Sequence, residues 1–160
     1  MDVVAGGWQF LFFNSDFKTA TKRFNQAWLL DENNIGCYVG FSKVLDSLTQ
    51  NKIITLEQKN ELSKTIQAEI DKRDPKHELF HLETAVAHTI NKNEDNSWKE
   101  FNKAKNINSK NEFLNAYKLL ILMHLGDSKK AKTFFTSTQL DHFVFPYKIE
   151  TTMNNKIQTI

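Results

Sequence analysis

Very little in this 160-residue chain breaks a helix or staples it covalently. Two prolines and five glycines are spread over the whole length, and no Asn-Gly or Asp-Gly pair sits between alternating runs, so β-hairpins are not signalled. A single cysteine, Cys37, excludes an internal disulfide and any CxxC metal or redox motif. Within the apolar run "IGCYVGF" it reads as a small buried hydrophobe. No stretch reaches the roughly 18 uncharged apolar residues of a membrane helix, which argues against membrane insertion. The formal net charge is only +2 and the lysines form no block, which removes the usual footprint for nucleic acid or an anionic lipid surface. The start "MDVVAGGW" lacks the basic and long apolar regions of a signal peptide. It turns apolar at once, as a chain would after removal of a leader. The compartment stays open between a periplasmic or lipid-anchored protein and a cytoplasmic one.

What is present is ordinary globular material: 40% hydrophobic, 25% charged, and one domain's length over residues 1–160. Apolar residues recur at steps of three and four, as in Leu114, Tyr117, Leu120, Ile121, Met123 and Leu125. That period predicts an all-α fold with short turns. The chain also repeats itself. "RFNQAWLLDENN" (23–34) and "EFNKAKNINSKN" (100–111) place Phe, Asn and Ala in the same order, and Ala131 with Phe135 reproduces the Ala20-to-Phe24 step. Phe101 and Phe135 are 34 residues apart, the period of a helix-turn-helix repeat.

These residues resemble the tetratricopeptide repeat (TPR) family. Residues 1–34 carry Phe17, Ala20, Phe24 and Ala27 on a second helix. Residues 35–77 form a longer unit with Tyr38, Phe41, Ser42 and Leu45 and a closing Pro75. Residues 78–111 offer His81, Ala85, His88, Ser97, Phe101 and Ala104, and 112–145 offer Tyr117, Leu122, Gly126, Asp127, Ala131 and Phe135. Departures are Trp8 and Leu119 where small residues belong, and a poor fit over 55–71. The resemblance implies a right-handed superhelix of about four repeats. Small residues would let helices approach and Phe24, Phe101 and Phe135 would fill the gaps. In "PYKIETTMNNKIQTI", Ile149, Met153 and Ile157 share one face, which predicts a capping helix over 146–160. The opening "GWQFLFFNSDFKTATKRFNQAWLLDENN" with "YVGF" also resembles small TPR proteins of Bacteroidetes and other Gram-negative bacteria, often exported or lipid-anchored.

Function in such a fold is expected on a concave face lined by the first helix of each repeat. The resemblance places there Gln9, Phe12 and Phe13; Val39, Lys43 and Asp46; Leu82, Val86, Thr89 and Ile90; and Ala116, Leu120, Met123 and His124. The family's carboxylate clamp needs Lys and Asn in two repeats, and its slots read Ala5/Gln9 and Val39/Lys43, so that clamp is not supported. The apolar stripe Val86, Ile90, Leu120 and Met123 reads equally as a groove for an apolar segment or as core covered by the tail's Phe143, Phe145, Tyr147 and Met153. The partner class implied is another protein or peptide, with no cofactor; a homodimer is left open. The alternative is a small immunity or inhibitor protein for a bacterial toxin, although nuclease inhibitors are typically acidic and this chain is not.

One stretch hints at chemistry. His77-Glu78-Leu79-Phe80-His81 spells HExxH, the zinc-peptidase pattern, in which two histidines four apart share a helix face. A catalytic zinc needs a third ligand. His88 is seven residues beyond His81, roughly 10 Å along the helix, Ala87 stands where an extended zincin motif wants histidine, and Glu94 and Glu100 depend on the next helix. In the repeat register His81 and His88 occupy packing slots and His77 sits at a cap. No strand supplies a substrate-binding edge, no nucleophile elbow or phosphate loop is present, and His124 and His142 read as surface or packing residues. A zinc hydrolase therefore ranks below both binding readings, with no metal or catalytic residue assigned.

Overall fold

The computed structural model describes residues 3–138. All regular structure among them is α-helical: α1 (Val3–Phe12), α2 (Phe17–Leu30), α3 (Ile35–Gln50), α4 (Leu56–Arg73), α5 (Glu78–Ile90), α6 (Glu94–Ile107), α7 (Leu114–His124) and α8 (Ser128–Ser137). The expected all-α class is thus observed. The expected capping helix over 146–160, with Phe143, Phe145 and His142, lies outside the described residues.

Local chemistry explains the boundaries. Asp16, Asn34, Thr55, Asn93 and Asp127 each accept a backbone N–H of the helix they open, and Thr55 with Gln58 completes a capping box. Helices α3, α5 and α7 end alike. Ile53 N–H donates to the Leu48 carbonyl at 2.9 Å, Asn93 N–H to His88 at 2.9 Å, and Asp127 N–H to Leu122 at 3.1 Å. These are the six-to-one bonds of a Schellman end, which needs a left-handed residue just before the donor. Lys52, Lys92 and Gly126 supply it with φ of 57°, 58° and 79°. Only one of the three is glycine, so two ends carry strain. Lys52→Gly is expected to raise stability by about 1 kcal/mol, read as a higher midpoint in chemical denaturation.

The turns that follow α2, α4 and α6 share a second pattern. The N–H groups of Asn34, His77 and Asn111 donate to the carbonyls of Asp31, Asp74 and Asn108 at 3.1, 2.8 and 3.1 Å. Because every connection is short, consecutive helices fold back on one another: α1 packs on α2, α3 on α4, α5 on α6 and α7 on α8. The odd helices also lie side by side, α1 against α3, α3 against α5 and α5 against α7, so they run in the same sense. In addition α1 reaches α5, which closes the odd layer on itself.

That layer is the core. α5 buries eight of its thirteen residues, whereas α4 buries only Ile70, so the even helices are the outer, solvated layer. Phe24 of α2 is completely buried between α1 and α3. Its ring meets Trp8 edge-on at 4.8 Å and Phe41 at 6.2 Å. The backbones approach it at Gly7 and Gly40: a methyl at Gly7 would lie 2.5 Å from the ring, and one at Gly40 would overlap it as well. The close-approach positions are therefore Gly7 and Gly40, not Trp8 and Ser42. Trp8 is itself a buried packing residue.

Candidate functional site

The HExxH segment is held by structure on every side. Asp74, buried in the turn before α5, accepts the N–H groups of Glu78 at 3.0 Å and Phe80 at 2.7 Å. His77 takes a left-handed conformation outside the helix, so its ring leaves the face that four-residue spacing would assign it. Its Nε2 pairs with Asp71 Oδ1 at 2.8 Å, while His81 Nδ1 pairs with Glu100 Oε2 of α6 at 2.7 Å. The Glu78 carboxylate accepts from the side-chain amides of Asn108 and Asn111. The three motif side chains thus engage three separate sets of partners. Among the described residues no group of three or more His, Cys, Asp or Glu is placed to hold a metal ion.

His81 belongs to a half-buried polar seam between α5 and α6. Glu100 accepts from His81 and, at 2.7 Å, from Lys103 Nζ. Burial pushes the Glu100 carboxyl up, but the hydrogen bonds from Lys103 and His81 more than offset this, leaving it below its ordinary 4.5. His88, about two turns beyond His81 on α5, is held below its ordinary 6.5 by burial, then by Lys43 and Lys103, with Glu100 opposing. Both shifts have one consequence. The unfolded chain takes up a proton first at each group, so the stability they contribute is present above the ordinary values and lost as pH falls through the folded ones. The melting temperature is expected to fall from pH 7 towards 5 as His88 charges, and again below about 4.5 with Glu100. His88→Gln should flatten the first step and leave the second, as thermal melts across pH would record.

The expected groove residues fall into two groups. Val39 and Leu82 are 1% and 0% exposed, and Val86, Ile90 and Leu120 are buried too. Thr89 and Ala116 are buried with them. These seven are buried in this structure, on odd helices that pack side by side, α3 on α5 and α5 on α7. The accessible set is Gln9, Phe13 (62% exposed) and His124, with Phe12, Lys43, Asp46 and Met123 half-buried. Of the accessible and half-buried members, all but Lys43 lie towards the carboxyl ends of α1, α3 and α7. Asp46 there is bound to Lys59 at 2.7 Å and Lys43 at 3.7 Å, and Lys92 Nζ reaches the His124 carbonyl at 3.3 Å.

Two features escaped the sequence reading. Glu83, in the apolar run "LETAVAHTI", is buried and accepts the Tyr117 hydroxyl. A carboxylate inside such a run was the available signal. The second lies at the opposite edge, where Asp31, Glu32, Asn33, Ile35, Lys72, Arg73, Leu79 and Phe113 line an open cleft of about 530 Å³. Cys37 offers no nucleophile: burial pushes its thiol up to about 12. No helix of the described residues is long and apolar enough to cross a membrane. No family model, curated protein or solved structure matches the chain.

Proposed function

We propose that the chain is a non-enzymatic protein-interaction module, a TPR-like array of helix pairs coiled as a right-handed superhelix that holds a segment of another protein. The observation that carries this reading is how the polar side chains are used. The carboxylates and histidines of the one catalytic-looking motif serve caps and inter-helix ties, while an aromatic ring, Phe13, and other large apolar side chains stand in solvent. Exposed apolar residues beside polar ones suit recognition, not bond-breaking. The recurring turn bonds at 31–34, 74–77 and 108–111, and the equivalent burial of Phe24 and Phe101, support a repeat array.

We put the binding face on Gln9, Phe12, Phe13, Asp46, Met123 and His124, towards the carboxyl ends of α1, α3 and α7, with Lys43 one turn before Asp46 on α3. Its test is affinity capture from native cells with the chain and with a Phe13→Glu, Lys43→Glu variant, both checked for equal melting temperature. One partner held in fixed ratio by the first and lost by the second is the expected result. Equal retention by both would place recognition elsewhere, and one tightly bound zinc per purified chain would reopen hydrolysis.

A further inference from the structure

We propose that α8 is a detachable lid, which opens as one unit about Gly126 and uncovers an apolar strip of α7 while the other helices stay folded. α8 is the last helix among the described residues, and it packs on α7. Leu119, Leu122 and Ala131 form an apolar cluster apart from the main core, with Trp98, Phe134 and Phe135 at its margin. The main core therefore loses none of its buried members when α8 leaves.

The attachment is slight. Of its ten residues α8 buries only Ala131, a single methyl. Its counterpart α6 buries Ser97, Phe101 and Ala104 and is bonded to α5 through Glu100 and His81. α4 also buries one residue, yet Lys59 joins it to Asp46 of α3 at 2.7 Å and Arg73 lies over the Tyr38 ring. In α8 the hydroxyls donate to carbonyls of the helix itself: Thr133 to Lys129, Thr136 to Lys132 and Ser137 to Phe134. Lys130 pairs with the helix's own cap, Asp127. Across to α7, the Lys118 ammonium lies 4.4 Å from the Phe134 ring centroid, a modest attraction at a partly exposed site.

The sequence of α8 adds to this. Lys129 and Lys130 stand in its first turn, where the helix dipole disfavours cations, and the last turn holds no basic residue. Thr, Phe and Ser are poor helix formers, so the segment gains little on its own. The joint is Gly126, at φ 79° with no heavy atom within 4 Å of where a Cβ would stand, so packing does not restrain its backbone. Closure still covers Leu119 and Leu122, 2% and 5% exposed, which makes the open form the minor population. Opening needs no bound partner, so it stands or falls apart from the binding face.

Amide hydrogen exchange of the full chain, resolved residue by residue, tests the lid. The bonded amides from Ala131 to Ser137 are expected to share one opening equilibrium and to exchange about a hundredfold or more faster than those of α5 and α7. Ala131→Glu forces a charge into the small cluster. It is expected to remove the helicity of α8 and leave the main melting transition in place, whereas Ala104→Glu, at the buried position on α6, abolishes that transition. Protection that falls off gradually from Ser137 inward, with the first turn retained, would be fraying and would overturn the lid. So would α8 amides that exchange in step with α5, or an Ala131→Glu chain that melts as low as Ala104→Glu.

Discussion

Gly40→Ala is expected to be among the most damaging single-atom additions this fold can receive. The new methyl falls on the Phe24 ring, which cannot retreat because Gly7 of α1 lies against its other contacts and Trp8 packs on its edge. Overpacking of a closed site typically costs about 1–3 kcal/mol, and more where neighbours are backbone. The opposite change, Phe24→Ala, empties the same space and should cost about 3–5 kcal/mol, with Phe101→Ala close behind. The two kinds of change are coupled. Phe24→Leu combined with Gly40→Ala should be less destabilising than the sum of the separate losses, because the smaller side chain admits the methyl. Denaturant midpoints for the four proteins of that cycle check it. Simple additivity would mean that Phe24 is not the wedge between α1 and α3.

The second large effect concerns Glu83. Tyr117→Phe removes the hydroxyl that donates to this buried carboxyl, leaving an acceptor with one donor fewer in the core. That loss is expected to cost about 1–3 kcal/mol. Replacing both members, Glu83→Leu with Tyr117→Phe, should recover much of it, since an apolar pair of similar volume needs no hydrogen bond. Gly36 marks the space available: a methyl there would lie 2.9 Å from Glu83 Oε2, so the carboxyl fits against α3 only because α3 offers no side chain. If the double variant were less stable than Tyr117→Phe alone, Glu83 would have a further role in holding α3 and α5 together.

These residues also show what a linear reading captures. The helices were legible because the three-and-four apolar spacing and the Asp, Asn and Thr caps act locally. Phe24 and Phe101 were legible because large aromatics recur at a fixed offset from small residues. Rotation about a helix axis is less local, and the difference between Trp8 and Gly7 at the close approach is one residue, or about 100° of turn. The cap position of His77 was legible, but its left-handed backbone was not, since it belongs to the turn that Asp74 closes three residues back. The groove was the least legible feature. Whether Val39, Leu82 and Val86 face water depends on how closely the odd helices pack on one another, which summed packing decides and no single segment encodes.

The central claim is that the chain recognises a protein through the carboxyl-end edge of its odd helices. It is tested most directly by amide hydrogen exchange of the chain free and bound to its captured partner. Exchange is expected to slow on binding at Gln9–Phe13 and Met123–His124 and to stay unchanged along the outer helix α4. Protection confined to α4 or to the turn at 74–77, with the edge exchanging as in the free chain, would contradict it.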